Sequence, residues 1–256
     1  MNDAAHLSTH DDSRDTGFAA LSVDYSLGTK LLPFVLSIIA GTVDVIGFLG
    51  LGGLFTAHIT GNLVVLAARL VAHEQAPLAQ VIAVPVFVVV LALTRLLVAG
   101  LERIRIGSLM PLLLLQFLLL AAFVGVCAGA GSSIDPNTAS MIFAGMLGVS
   151  AMAVQNALVR ISLKGAPSTA VMTTNITVFA MDVGEILLQR NSSGAAKACD
   201  RAGHTWPAIA GFLLGCAIGA ACESAFSLRS LVMPAGLALL ALALGASATP
   251  HHAEAR

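Results

Sequence analysis

Long apolar runs dominate this chain and decide what it can fold into. Six stretches carry almost no charge over a length that can cross the roughly 30 Å hydrocarbon core of a bilayer, which takes about 20 helical residues. Backbone N–H and C=O groups in lipid must be satisfied within their own segment, so such runs form helices. The sequence therefore predicts an all-α polytopic membrane protein with spans near 31–51, 78–100, 108–130, 139–160, 205–226 and 229–249.

The composition excludes two other classes of protein. Of the 256 residues, 57% are hydrophobic and 11% are charged, whereas soluble domains carry about 25% charged residues. The formal net charge of -1 leaves no basic surplus to neutralise nucleic-acid phosphates. We therefore expect a lipid bilayer as partner and no nucleic acid.

The first 30 residues are acidic and lack apolar periodicity, which predicts a disordered cytoplasmic tail over 1–30. Lys30 leads directly into a full-length apolar run, so an uncleaved first span is expected instead of a secretory signal. The four cysteines form no CxxC pair, and the chain has no HExxH, GxSxG, P-loop or GxGxxG motif. We expect no metal, no cofactor and no catalytic residue.

Two further stretches, 54–72 and 168–188, are apolar but contain polar residues at intervals. They also resemble each other, because FTAHITGNLVVLAARL (55–70) aligned with STAVMTTNITVFAMDV (168–183) has six identities and a shared T-A-x-x-T-x-N core. This similarity predicts two membrane repeats, over 31–130 and 139–249.

Whether these two stretches cross the membrane can be examined by charge, since Lys and Arg collect in cytoplasmic loops. Eight crossings put seven Lys and Arg on the N-terminal side and five on the other. If 54–72 and 168–188 dip in and return, the distribution becomes ten against two, with Arg95 inside its span. Six crossings with both ends cytoplasmic are favoured, and eight remain the alternative. Three crossings per copy would make the repeats inverted, as in many secondary transporters.

The first copy holds most of the candidate site. Asp44 lies midway along its span, where a carboxylate must be protonated, paired or beside a water-filled cavity. Gly50, Gly52 and Gly53 allow a sharp reversal after it. The following HITGN motif places His58, Thr60 and Asn62 around Gly61, where a helix break would release backbone groups toward a ligand. His58 is either a packing residue or a proton carrier.

The second copy supplies the remaining candidates. Thr173 and Asn175 correspond to Thr60 and Asn62, and serve either a site or inter-helix hydrogen bonding. The adjacent amides Gln155 and Asn156 predict inter-helix bonds or cavity lining. The glycines at four-residue spacing indicate close helix packing and allow a homo-oligomer; these are Gly211, Gly215 and Gly219, and Gly125 with Gly129.

With these motifs, residues 31–249 resemble the YoaK family of bacterial inner-membrane proteins, a domain of unknown function. The family pattern A-G-x-x-D-x-x-G-F followed by F-x-x-H-x-T-G-N is matched within residues 40–62, and M-x-x-Q-N at Met152, Gln155 and Asn156. The chain departs from it at Thr174, where glycine is common. The resemblance implies an integral inner-membrane protein and no particular substrate. The matching residues of the first pattern are Gly41, Asp44, Gly47, Phe48, Phe55, His58, Thr60, Gly61 and Asn62.

The leading functional hypothesis is a small-solute secondary permease or exporter, coupled to protons through Asp44, because the polar, glycine-containing segments lie within the membrane. One alternative is a non-transporting scaffold or accessory subunit, which the glycine faces and short loops favour. An intramembrane enzyme using His58 and Asp44 is a further alternative, for which the sequence offers no nucleophile or metal site.

Overall fold

The chain folds into helices throughout the residues described by the computed structural model, which are 15–74, 77–129, 135–188 and 193–248, without the side chains of 15–30 and 248. No strand occurs in these ranges, in agreement with the all-α prediction. The helices are α1 (Asp15–Gly50), α2 (Ile59–Val71), α3 (Leu78–Arg103), α4 (Leu109–Gly129), α5 (Ala139–Ser162), α6 (Met172–Leu188), α7 (Ser193–Phe226) and α8 (Val232–Ala248), with a 3-10 turn, Ser227–Leu231, before α8.

Two helices extend beyond the apolar runs. α7 begins at Ser193, twelve residues before the predicted start at 205, and the backbone of 15–30 belongs to α1 although a disordered tail was predicted there. Apolar runs mark what can enter lipid and not where a helix stops. Neither extension contains a proline, and adding a residue to an existing helix forms one hydrogen bond for each residue that is fixed. Residues 1–14 of the predicted tail lie outside the described ranges.

Five stretches of the described chain are long and apolar enough to cross a membrane. Four are Leu31–Gly50, Leu78–Arg103, Leu109–Gly129 and Ala139–Ser162, and the fifth, Ser193–Ser247, runs through both α7 and α8. α2 has only 13 residues, which at 1.5 Å per residue span about 20 Å, less than the hydrocarbon core.

The spanning helices differ in how much of their surface the protein covers. The apolar windows of α1 and α5 are each 78% buried, whereas those of α3 and α4 are 17% and 28% buried. α3 and α4 are also the more hydropathic, with window means of 2.7 and 2.5 against 2.1 and 1.7 for α1 and α5. The most apolar helices therefore form the outer surface, as expected where the surrounding solvent is lipid.

The long helix that begins each predicted repeat packs mainly against helices of the other repeat. α1 packs against α7 and α8 of the second half, and α5 packs against α3 and α4 of the first half. The short helices lie farther out, α2 on α3 and α6 on α7. Each half therefore completes the core of the other.

Glycines bring α1 and α7 together. A Cβ at Gly211 would lie 2.7 Å from the carbonyl oxygen of Phe34, and one at Gly219 would lie 3.0 Å from the Cα of Thr42. Gly215, between them, faces the backbone of Ile38 just as closely. The packing role predicted for this glycine row is confirmed. By contrast, no described atom lies within 4 Å of a Cβ built at Gly125 or Gly129, so this pair packs against no helix of the described chain.

An ion-pair cluster joins α6 to α7. Both Nε and one terminal nitrogen of Arg201 donate to Oδ1 of Asp182, at 2.8 and 2.6 Å. The same terminal nitrogen lies 2.8 Å from a carboxylate oxygen of Glu185. Asp182 is 4% exposed, so the two acidic residues are a docking contact and not simply a solvated helix end.

Candidate functional site

The chain reverses sharply after α1, as the glycines predicted. Gly52 and Gly53 have φ values of 67° and 87°, in the left-handed region that favours glycine. Residues 51–58, here called the first connector, then run back beside α1 before α2 starts. Arg69, in the last turn of α2, donates to the carbonyl of Gly52 at 3.0 Å, and Gln80 of α3 donates to that of Gly53 at 2.8 Å. The end of α2 and the start of α3 thus lie beside the end of α1.

Asp44 holds the far end of the first connector. Its Oδ1 accepts hydrogen bonds from the backbone N–H groups of Thr56 and Ala57, both at 2.7 Å, and of His58 at 3.3 Å. The hydroxyl of Thr56 is a further donor at 3.4 Å. Asp44 is 3% exposed, and its carboxylate satisfies backbone donors of the connector immediately before α2. Its negative charge also suits the positive end of the helix.

His58 links this buried carboxylate to open space. Its Nδ1 lies 2.7 Å from Oδ2 of Asp44, while about a third of the side chain (36%) is exposed. The ring also packs edge-on against Phe212 of α7, with ring centroids 5.2 Å apart. His58 is therefore both packed and accessible, which is compatible with either role predicted for it.

Asn62 fixes the middle of the first connector. Its side-chain oxygen accepts from the backbone N–H of Phe55 at 2.9 Å, and its amide nitrogen donates to the carbonyl of Phe55 at 2.8 Å. The helix break predicted at Gly61 is wrong, because α2 runs through it from Ile59. Gly61 instead leaves room for the Phe55 ring, which would lie 2.9 Å from a Cβ there. The break lies upstream, in the connector itself.

A second connector, residues 163–171, precedes α6 and has similar local geometry. Gly165 has a φ of 88°. Asn175 donates to the carbonyl of Ser168 at 2.6 Å, seven residues before it, as Asn62 does to Phe55. Among the described residues, no carboxylate bonds to this connector as Asp44 does to the first. The Ser168 hydroxyl accepts from the N–H of Val171 at 2.9 Å instead.

Gln155 ties the second connector to the core. Its side-chain nitrogen donates to the carbonyl of Leu36 at 2.8 Å and to the hydroxyl of Thr169 at 2.9 Å, and its oxygen accepts from Gln116 at 2.7 Å. Gln155 thus forms the inter-helix bonds that the sequence predicted for this amide pair. The neighbouring Asn156 donates to Met152 within its own helix and faces the cavity described next.

A cavity of about 760 Å³ lies between the two connectors and is walled also by α3 and α5. The starts of α2 and α6 both open onto it. Most of its wall is apolar, and no Asp or Glu of the described chain lines it. Its polar walls include His58, Thr60, Arg95, Asn156, Arg160 and Thr173.

The cavity brings together half of the predicted site residues. His58, Thr60, Asn156 and Thr173 line it. The other four, Asp44, Asn62, Gln155 and Asn175, are buried behind the wall and hold the connectors in shape. Sequence reasoning missed Arg95 and Arg160 as cavity residues. The signal was present, since arginines within or near membrane spans commonly face a cavity or an ion pathway.

Taken together, the lipid-compatible outer helices, the buried polar connectors and the cavity between them define a polytopic helical membrane protein. A family model described as "Protein of unknown function (DUF1275)" matches residues 32–244, and the chain belongs to that family. The comparisons with curated proteins and with solved structures found no match.

Proposed function

We propose that the protein is a secondary permease or exporter for a small solute, which occupies the cavity between the two connectors. The observation that carries this proposal is the cavity itself, because two short helices begin at its wall. Interrupted helices whose ends face a central site are typical of secondary transporters. A volume of about 760 Å³ lies within the range of small-molecule sites, about 300–1,000 Å³.

We also propose six crossings and two inverted repeats. Arg69, at the end of α2, and Gln80, at the start of α3, both contact the turn that ends α1. These contacts support a first connector and α2 that enter the membrane and return to the side on which α1 ends. In the second half, His204 of α7 donates to the carbonyl of Gly165 at 3.1 Å, in the same manner as Gln80 to Gly53. The exchanged packing of α1 and α5 supports the repeats.

The Asp44–His58 pair is the proposed site of proton coupling. His58 is open to the cavity and bonded to a buried carboxylate, so a proton taken up by its ring would remain paired with Asp44. A histidine in contact with a carboxylate can exchange protons near neutral pH. Asp44 is then the partner that orients His58, and not the group that meets the solute.

The resemblance to the YoaK family supports a location in the bacterial inner membrane. With six crossings, ten Lys and Arg lie on the N-terminal side of the membrane against two on the other, which supports a cytoplasmic N-terminus. In this proposal the protein is not an enzyme. Solute movement follows existing gradients, since the chain has no P-loop with which to hydrolyse nucleotides.

Reconstitution tests the proposal. Purified protein is placed in liposomes, and uptake is measured for a labelled panel of amino acids, sugars, nucleosides and organic acids. At least one solute should enter faster than into protein-free liposomes. Thr60→Trp should block this uptake, because Thr60 is exposed to the cavity. The control Leu118→Trp, on the exposed surface of α4, should not. Equal uptake with Thr60→Trp, or none with any solute, would contradict a permease.

The alternative of a scaffold or accessory subunit rests on a different feature. α4 leaves Gly125 and Gly129 facing open space, a surface against which another helix can pack closely. A scaffold predicts that a membrane protein copurifies in fixed ratio and is released by Gly125→Leu, with no flux in the liposome assay. The same variant also tests a homo-oligomer, since a second copy would then be the partner.

A further inference from the structure

We infer that the cavity between the two connectors binds an organic anion, whose carboxylate is held by Arg160 together with Arg95 and whose apolar body lies against the cavity wall. The inference rests on the proposed function in taking this cavity as the solute site. It adds the chemical class of the solute.

The charged side chains that line the cavity are all positive among the described residues. Arg95 and Arg160 line it, with no acidic residue of the described chain beside them on its wall. Arg160 has no ion-pair partner within 4.0 Å among the described residues. Arg95 lies 3.7 Å from Glu102, with both side chains about 60% exposed, which makes that pair weak and easily exchanged. A guanidinium group presents two parallel N–H donors that match a carboxylate.

Both arginines lie toward the same end of the cavity. α3 begins beside the turn after α1, because Gln80 donates to Gly53. α5 begins beside it too, because a Cβ at Gly52 would lie 3.2 Å from that of Pro136. The two helices start together and pack against each other, so they run in the same direction. Arg95 and Arg160 lie in their C-terminal parts.

The rest of the wall fits an apolar body. Phe87 and Leu91 of α3 line the cavity beside Arg95, and Ile161 of α5 follows Arg160. An inorganic anion would leave most of this surface without a partner. An organic acid buries its hydrocarbon there, gaining roughly 25 cal/mol for each Å² removed from water.

The opposite charge class is disfavoured by the same geometry. Asp44, the buried carboxylate bonded to the lining residue His58, already accepts four hydrogen bonds at Oδ1, and its Oδ2 is bonded to that histidine. Asp44 is also 3% exposed and is not among the residues that line the cavity, so it is not available to a cationic solute. The first turns of α2 and α6, with Thr60 and Thr173 at the wall, add positive potential that would repel such a solute.

A charge-matched set of probes tests the inference. The full-length protein in phosphatidylcholine nanodiscs is titrated with labelled benzoate, and displacement is measured with benzamide and benzylammonium, which have the same ring without the negative charge. Benzoate should bind saturably and the other two should not displace it. Equal displacement by benzamide, or no benzoate binding, would overturn the inference.

Variants then locate the bound charge. Arg160→Gln should weaken benzoate binding about tenfold to a hundredfold, the effect of losing a charged hydrogen-bond pair. Arg160→Lys should bind benzoate with an affinity between those of the wild type and Arg160→Gln, because it keeps the charge and loses the paired donors. Arg229→Gln, at an exposed residue of the 3-10 turn before α8, is the matched control and should bind normally. Unchanged binding with Arg160→Gln would overturn the assignment.

Three further results distinguish this inference from a lipid-binding site and from the proposed permease function. Loss of benzoate binding when the nanodiscs contain phosphatidylglycerol would assign the arginines to an anionic lipid headgroup and overturn a solute anion. Thr60→Trp-sensitive uptake of a neutral solute, with no benzoate binding, would overturn the anion class and leave the permease standing. Benzoate binding without flux of any solute would support the anion site and contradict the permease.

Discussion

Nδ1 of His58 lies 2.7 Å from Oδ2 of Asp44, so the connector residue that faces the cavity is bonded to a carboxylate buried inside α1. The same carboxylate receives three backbone N–H groups. One side chain thus shapes the connector and orients the histidine, and its removal should affect both.

The first prediction concerns that carboxylate. Asp44→Asn keeps the size of the side chain but removes its charge and replaces one acceptor oxygen by a donor, so the side chain can no longer accept from both His58 and the backbone N–H groups of the connector. We expect a loss of about 1–3 kcal/mol in the free energy of unfolding, as for a buried polar group left unpaired. Denaturant unfolding in detergent measures it. Asp135→Asn, at an exposed position, is the control and should change little; equal effects would contradict the structural role of Asp44.

The second prediction concerns the contact of α1 with α7. Gly215→Ala puts a methyl group against the backbone of Ile38, which cannot move aside as a side chain could. The expected cost is about 1–3 kcal/mol from overpacking. Gly203→Ala, in the same helix with nothing within 4 Å, is the matched control. It should be neutral or stabilise by up to about 1 kcal/mol, since alanine favours helix. Similar unfolding midpoints for the two variants would argue against the close crossing.

The third prediction compares the two acidic partners of Arg201. Asp182 is buried and accepts two bonds from Arg201, whereas the side chain of Glu185 is 35% exposed and accepts one. Arg201→Gln should therefore destabilise the protein clearly more than Glu185→Gln, because it leaves a buried charge without its cation. Adding Asp182→Asn to Arg201→Gln should recover part of the loss. Thermal unfolding of the four proteins tests this, and a larger effect of Glu185→Gln would contradict the cluster as described.

The fourth prediction separates the two connectors. Asn62 makes two hydrogen bonds to Phe55, and Asn175 makes one to the backbone of Ser168. At about 0.5–1.5 kcal/mol for each bond, Asn62→Leu should cost more stability than Asn175→Leu. The same order should appear in proteolysis at the connectors, with 51–58 cut faster in Asn62→Leu. Equal losses would indicate that the connectors are held by other contacts.

The fifth prediction concerns the number of crossings. With the native cysteines removed, single cysteines at Ala72, Gly107 and Gly194 are labelled in intact cells by a reagent that cannot cross the membrane. Six crossings predict labelling at Ala72 alone. Labelling at Gly107 with protection of Ala72 would establish eight crossings and contradict the inverted repeat.

Hydropathy located every helix of the described chain, because lipid-spanning helices need continuous apolar residues. It could not locate where α1 and α7 begin, since those extensions lie in polar sequence and depend on helix propagation. The polar motif was recognised correctly as unusual. The geometry of this motif was not predicted correctly. Sequence alone could not show that Gly61 makes room for the Phe55 ring instead of breaking the helix.

The candidate site was predictable in its parts and not in its arrangement. His58 and Thr60 were found because polar residues within apolar segments are conspicuous. Arg95 could be read equally as a side chain reaching the membrane surface. Arg160 lies at a helix end, where a cation needs no special explanation. Only the packing of α3 on α5 brings these two arginines to one cavity.

The packing of α1 against α7 has a consequence for how the protein is made. The first half of the chain leaves the ribosome with the surface around Gly41 and Thr42 uncovered, and its partner glycines follow only when α7 has been synthesised, about 170 residues later. Until then α1 stands in the bilayer without the helix that shields it. The nascent N-terminal half is therefore incompletely folded while it is exposed to the insertion and quality-control machinery of the membrane. It can complete its packing only after α7 has been inserted.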